Sequence, residues 1–265
     1  MGWVHKIVVR ASAVAIGLSA AGLGGEVLAR ARLVHPLPER LPLMEVRAHP
    51  TRGWEMVPSR DHFTYDKPVR VNALGLRGPE VEAKAPGELR VLALGDSMVY
   101  GQGVPEDGTL PHLLERRLEQ HLERPVTVVN GGLRAYDTLL ELALLEELGP
   151  AIDPDLVVLF WYGNDFATRD PEGAAARLER SGPIAFDLGQ PAEGSAMLKW
   201  RLVQLARRSV LAMALQDARQ RRFGDQRWLA AADWMLPKVP DWFDRFYRLC
   251  DQLGARGVVM VSPAG

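Results

Sequence analysis

Cysteine is nearly missing from this chain: among 265 residues only Cys250 is one. A lone cysteine excludes an intrachain disulfide and a cysteine-based zinc cluster. Its apolar, helix-like neighbourhood predicts a buried structural thiol rather than a reactive one. Net charge is missing too, since 32 Lys and Arg face 33 Asp and Glu. Without a basic field the chain is not expected to bind nucleic acid. Histidine is absent from the second half: the six are His5, His35, His49, His62, His112 and His121, and no Asp-x-x-His occurs anywhere. There is no internal repeat. What is present, 47% hydrophobic and 25% charged residues, fits a folded globular domain of ordinary size with appendages.

The N-terminus differs in kind from the rest. Lys6 and Arg10 precede an apolar, small-residue run from Ala11 to Gly25, followed by Glu26, Val27-Leu28-Ala29 and then Arg30, Arg32 and Arg40. A basic start before an apolar core is the layout of a signal peptide or a membrane anchor. The uncharged run is short for a bilayer span, and extending it to Leu28 puts Glu26 near the interface. Val27-Leu28-Ala29 would also serve as a cleavage site. Residues 1–30 are therefore expected to be a leader or anchor, with the remainder exported: held at the inner membrane on its outer face, or secreted if the leader is cut. Flanking positive charge at both ends leaves the orientation weakly fixed.

Residues 31–88 show no sustained period and hold isolated anchors such as Trp54, which predicts an extended arm or linker. From residue 89 the texture is α/β. Apolar runs at 90–94, 126–129, 155–161 and 257–263 read as buried strands. Between them, 110–122, 139–148, 198–215 and 241–253 read as helices, the second ending at Gly149-Pro150. Residues 167–195 look like a loop or insertion. Strands alternating with helices imply right-handed crossovers and a parallel sheet, over a domain spanning 89–265. Trp228, Trp234, Trp242, Phe243 and Phe246 fall at partly helical spacing and are expected in the core or capping the cleft.

Ligands of such sheets sit beyond the carboxyl ends of the strands. Three polar clusters fall there: Gly95-Asp96-Ser97, Asn130-Gly131-Gly132 and Gly163-Asn164-Asp165. Each alone is ordinary turn chemistry; together, after three successive strands, they converge on one edge. A serine at a strand-to-helix turn, with backbone N–H groups beside it, suits acyl transfer. Ser97 would be the nucleophile, and its own N–H, that of Gly132 and the side-chain amide of Asn164 would surround the oxyanion. Asp96 and Asp165 are expected to hold their turns.

These three blocks, in this order and spacing, resemble the GDSL/SGNH hydrolase family. The stretch Asn72-x-x-Gly75-x-Arg77-Gly78 and the N-terminal segment resemble a membrane-anchored bacterial branch of it. The resemblance implies a flavodoxin-like three-layer α/β/α sandwich and metal-free, cofactor-free hydrolysis of acyl esters, acetyl among them, on carbohydrate or lipid. It carries Ser97 over as nucleophile and Gly132 and Asn164 as oxyanion donors.

The departure concerns the base. The family draws it from a late Asp-x-x-His block, which this sequence lacks. The expectation is that the C-terminal part bearing that block is missing from this chain, which alone would then hydrolyse esters very weakly. The histidines that are present, His62, His112 and His121 among them, read as surface or packing residues. Two alternatives stay open: an O-acyltransferase working through the same serine, and a non-catalytic carbohydrate- or lipid-binding module on the same fold. Oligomeric state is left open.

Overall fold

The computed structural model describes residues 2–33, 42, 44–162, 184–185, 198, 202, 205, 208–215, 218–219 and 236–262. Two compact units emerge, one made of residues 1–38 with 191–225, the other of 39–190 with 226–265.

The second unit is built on four parallel strands: β5 (Leu89–Gly95), β6 (Val126–Gly132), β7 (Leu156–Trp161) and β9 (Arg256–Val261), in the order β6-β5-β7-β9. The connections between them hold α2 (Ser97–Tyr100), α3 (Leu110–Leu122), α4 (Thr138–Ile152), β8 (Ile184–Ala185) and α5 (Val239–Leu253). Side chains alternate across a strand, and β5 uses both faces. Val91 and Ala93 join Val126, Val128 and Val158 under Leu114 and Leu118 of α3. Leu92 and Leu94 join Leu140, Leu144 and Leu145 of α4 and Trp242 and Phe246 of α5. Helices thus cover both faces of a parallel sheet, giving the expected three-layer α/β/α architecture. Trp242 and Phe246 are core residues, and Phe243 meets Trp161 edge-on with ring centroids 5.7 Å apart; Trp228 and Trp234 lie outside the described residues. Cys250 is buried, and burial pushes its thiol up to about 11.

Helix α4 runs past its expected stop at Gly149-Pro150 to Ile152. A proline so close to a helix end forfeits only one backbone bond, while Ile152 beyond it is fully buried. Gly149 packs where an added Cβ would lie 2.7 Å from Leu253 Cδ1. Tertiary packing outweighs the local stop signal here. Strand β9 is an edge strand, with Val258, Met260 and Val261 exposed.

The arm is more ordered than its sequence suggests. It contains β1 (Glu45–His49), β2 (Gly53–Met56), β3 (His62–Thr64) and β4 (Lys67–Val69), forming two antiparallel hairpins, β1 also pairing with β8. Met56, Val69, Val71 and Leu76 enter the same core as Leu92 and Leu94. Around them sits a charged cluster in which Arg52 and Glu55 are buried. Arg52 donates to Glu55 at 2.8 Å and to Glu147 of α4 at 3.3 Å. Arg47 donates to Glu55 at 2.6 Å, and His49 lies 3.1 Å from Glu147.

In the other unit, helix α1 spans Gly2–Arg32. Its part His5–Arg32 is long and apolar enough to cross a membrane, with a window of mean hydropathy 1.7, and it exposes its apolar side chains. Those properties fit a signal sequence or an anchor.

Candidate active site

The strand order reverses between β5 and β7, because β6 lies on one side of β5 and β7 on the other. A crevice opens at such a switch point beyond the carboxyl ends of the strands. The chain leaving β5 there is Asp96-Ser97. Asp96, 2% exposed, caps α2 by accepting from the Met98 N–H at 2.8 Å, and its other oxygen accepts from Ser97 Oγ at 3.4 Å. Helix α2 lasts one turn. Gly101 ends it in the left-handed region, at φ +81°, and the N–H groups of Gly101 and Gln102 both donate to the Ser97 carbonyl at 3.1 Å.

Glycine is required where the sheet meets this turn. A Cβ at Gly132 would lie 2.1 Å from Tyr100 N and 2.6 Å from Val99 C, both backbone atoms. One at Gly95 would lie 2.4 Å from Val99 Cγ2. Lacking side chains, the ends of β5 and β6 let α2 settle directly on the sheet.

The Gly132 N–H, expected to face an oxyanion, donates to Asn130 Oδ1 at 3.0 Å. The next N–H, of Leu133, donates to the Gly95 carbonyl at 3.1 Å and ties this loop to the residue two before Ser97. Ala135 follows in the left-handed region at φ +61°, a strained choice for a residue with a Cβ. Its N–H has no hydrogen-bond partner among the described residues. The loop ends in Asp137, whose side chain caps α4 by accepting from Leu140 N–H. Sequence reading passed over Ala135, since nothing in Leu133-Arg134-Ala135-Tyr136 announces a positive φ. Asn164 and Asp165 lie outside the described residues.

The arm contributes three buried polar groups to the same turn. Arg77, its side chain wholly buried, donates through Nη1 to the carbonyls of Tyr100 (2.9 Å) and Gly101 (2.8 Å), and through Nη2 to that of Val104 (2.8 Å). The carbonyls that follow Ser97 thus converge on one guanidinium, which also lies 5.3 Å from the centroid of the Tyr100 ring. Arg77 is itself placed by Asn72, whose Oδ1 accepts from the N–H groups of Leu74 and Leu76 at 3.0 Å while its amide donates to the Pro79 carbonyl. Gly75, at φ +72°, turns between them with no room for a Cβ, which would lie 2.9 Å from Met56 O. The Asn-x-x-Gly-x-Arg-Gly stretch is therefore a clamp on the serine turn. The third group is His62, 3% exposed, whose Nε2 is 2.6 Å from the Tyr100 hydroxyl. Burial, aided by the nearby Arg77 and Arg134, holds His62 down to about 4, so it is neutral at pH 7.

None of the described histidines hydrogen-bonds to Ser97, whose Oγ reaches only Asp96 among the described residues. His49 belongs to the Arg52–Glu147 cluster, and His112 and His121 lie on α3.

A family model described as GDSL-like lipase/acylhydrolase matches residues 93–259. The chain belongs to the GDSL-like lipase/acylhydrolase family. That match takes in the Ser97 turn, the loop after β6, α4 and most of β9, the elements that form the sheet and its carboxyl edge. Among solved structures, a crystal structure of TesA is 17% identical, with a TM-score of 0.28, over 63% of this chain and 76% of that one. A crystal structure of AlinE4, an SGNH-hydrolase family esterase, is 16% identical, with a TM-score of 0.29, over 67% and 77%. No curated protein matches the chain.

Proposed function

We propose that this protein is a membrane-attached serine esterase that removes acyl groups, acetyl among them, from carbohydrate or lipid, with Ser97 as nucleophile. One observation carries the reading: in a chain of this family, Ser97 opens a one-turn helix at the strand-order reversal, with carbonyls and N–H groups behind it tied down by Arg77, Gly101 and Asp96. Ser97 Oγ attacks the ester carbonyl, and its proton passes to a base other than His62, whose Nε2 is committed to Tyr100. The tetrahedral oxyanion is met by the Ser97 N–H, by the loop of Gly132 and Ala135, and by the Asn164 amide. Within that loop Ala135 offers the backbone N–H without a partner among the described residues, while that of Gly132 is shared with Asn130. Each such donor is worth about 3 kcal/mol to the transition state. Helix α1 stays on the protein as its anchor, with the domain on the outer side of the membrane.

Ser97→Ala should cut turnover of a short-chain aryl ester by about a thousandfold or more. Turnover unchanged in that variant would refute the assignment. A second reading, a binding module for acylated carbohydrate or lipid, draws on the absence of any described histidine at Ser97. Saturable binding of an acetylated sugar with no turnover by the unaltered protein would favour it.

A further inference from the structure

The end of α1 is built to receive something. Gly22, Gly25, Glu26 and Ala29 recur at helical spacing along one face. A Cβ at Gly25 would sit 3.0 Å from Leu211 Cδ2, and Ala29 is only 6% exposed on a helix otherwise open to its surroundings. Between them the Glu26 carboxylate accepts from Ser209 Oγ at 2.6 Å and from the N–H groups of Val210 and Leu211 at 3.0 and 3.1 Å. Arg30 donates to Glu26 at 2.7 Å and to the Arg208 carbonyl at 3.0 Å. Glu26 is thus the cap of the helical residues 210–215, an acid supplied from another helix to N–H groups that lack partners of their own. An acidic residue in an apolar leader is otherwise costly; here its carboxylate is hydrogen-bonded to residues 30 and 209–211.

Just before this buckle Leu198, Leu202 and Leu205 are each helical, at the sequence spacings of four and three that mark an apolar helix face. All three leucines are more than half exposed, as is Leu215 after the buckle. The sequence around them is basic: residues 198–222 hold Lys199, Arg201, Arg207, Arg208, Arg219, Arg221 and Arg222 against Asp217 alone, in a chain whose charges nearly cancel as a whole. Arg30 and Arg32 close α1 beside the buckle.

We infer that Leu198, Leu202 and Leu205 meet an anionic lipid surface where α1 emerges from the bilayer, beside the buckle that Glu26 makes with residues 209–211. An apolar helix face combined with an excess of Lys and Arg, and no net hydrophobicity sufficient to span, is the pattern of in-plane binding to anionic lipid. Continuity supplies the occupant: the segment is tied to the end of a helix whose own apolar side chains need lipid. The idea rests on α1 being a retained anchor, and the experiment below separates the two.

The full chain, with Cys250 replaced by Ala, is reconstituted into vesicles of phosphatidylcholine or of phosphatidylcholine rich in phosphatidylglycerol. An environment-sensitive dye is placed singly at Leu202→Cys, Leu205→Cys, Val14→Cys in α1, and Leu113→Cys on the exposed face of α3. Dyes at 202 and 205 should shift to the blue and be quenched by headgroup-depth quenchers in the anionic vesicles, the dye at 14 by acyl-chain quenchers in both, and the dye at 113 by neither. Replacing Lys199, Arg201 and Arg207 by Glu should abolish the response at 202 and 205 while leaving that at 14. A watery environment at 202 and 205 in both vesicles, with 14 still deep, overturns the inference and leaves the anchor standing. Water at 14 as well overturns both. An apolar signal at 202 and 205 in either lipid, with crosslinking between copies through those cysteines, would show that a second copy covers the face and would equally overturn it.

Discussion

The turn that carries Ser97 is held by two regions that use opposite physics. The sheet holds it by omission: Gly95 and Gly132 leave so little space that backbone lies on backbone, and Val99 fills what remains. The arm holds it by addition, with one buried guanidinium gathering three carbonyls and one buried imidazole on the Tyr100 hydroxyl. A steric seat tolerates no added atom, because close-packed backbone cannot yield. A polar seat tolerates reshaping, provided each buried carbonyl keeps a donor. The two should therefore fail differently when altered.

The largest effect should come from a single methyl group on the sheet side. Gly132→Ala places a carbon 2.1 Å from Tyr100 N, and no side chain can move aside to admit it. A loss of about 4 kcal/mol or more, or failure to fold, is expected in urea unfolding, at the far end of what single substitutions do. A midpoint close to that of the unaltered protein would mean that the seat is looser than its glycines imply.

On the arm side, Arg77→Ala strips donors from the carbonyls of Tyr100, Gly101 and Val104 and should cost about 3 kcal/mol. Arg77→Lys keeps the charge but loses the planar fork that reaches three acceptors, and should cost about half as much. In both variants ester turnover should fall further than the folded fraction does, since the carbonyls released belong to the turn that carries Ser97, the proposed nucleophile. Turnover that tracks the folded fraction would reduce the arm to a stabilising wrap.

Most of the sheet was legible in the sequence because a buried strand has to be apolar: the runs at 90–94, 126–129 and 155–161 became β5, β6 and β7 with small shifts at their ends. The turn at Ser97 drew notice through the polar, glycine-bearing clusters that follow successive strands, Gly95-Asp96-Ser97 and Asn130-Gly131-Gly132 among them. The arm was not. Its strands are three to five residues long, too short for a period to show. Its most deeply buried ionisable groups, Arg52, Arg77 and His62, are residue types seldom fully buried. The Asn72–Arg77 stretch reads from its residues only as turn-rich, and otherwise by resemblance. Its physical role depends on carbonyls that lie 23 to 27 residues further along the chain, which no local pattern reveals. The same limit hid Ala135, whose positive φ comes from the ties of its loop to Gly95 and α4 rather than from its own chemistry.

The polar seat also has a pH signature. His62 is held neutral down to about 4, against an ordinary value of 6.5. The unfolded chain therefore binds a proton that the folded one refuses, and stability is complete above pH 6.5 and falls as pH drops from 6.5 to about 4. The loss is on the order of 3 kcal/mol. The groups facing His62 are Tyr100, Arg77, Arg134 and Asp61, and the two arginines deepen the effect. His49, also held down by burial, adds to the slope in the same direction. Carboxylates held low, such as Glu147 and Asp155, lose their contribution as pH falls below their ordinary range. His62→Gln, which keeps an amide within reach of the Tyr100 hydroxyl, should flatten the slope between pH 6.5 and 4.5, leaving the part due to His49. An unchanged slope would place the titration elsewhere.

The smallest effect should fall on the residue nearest the serine. Asp96 joins the sheet to the turn: it follows β5 directly, and its Oδ1 accepts the Met98 N–H that opens α2. Asparagine caps helices about as well as aspartate, so Asp96→Asn should leave stability within about 0.5 kcal/mol, whereas Asp96→Ala should cost about 1 kcal/mol. The informative comparison is between stability and chemistry. At 3.4 Å, Oδ2 is a weak partner for Ser97 Oγ, too long to orient the hydroxyl strongly. If Asp96 serves only as the cap, Asp96→Asn keeps the turnover of the unaltered protein. A large loss of kcat in that variant, with the unfolding midpoint unmoved, would show that the negative charge itself acts on Ser97 and that the turn is more than a seat.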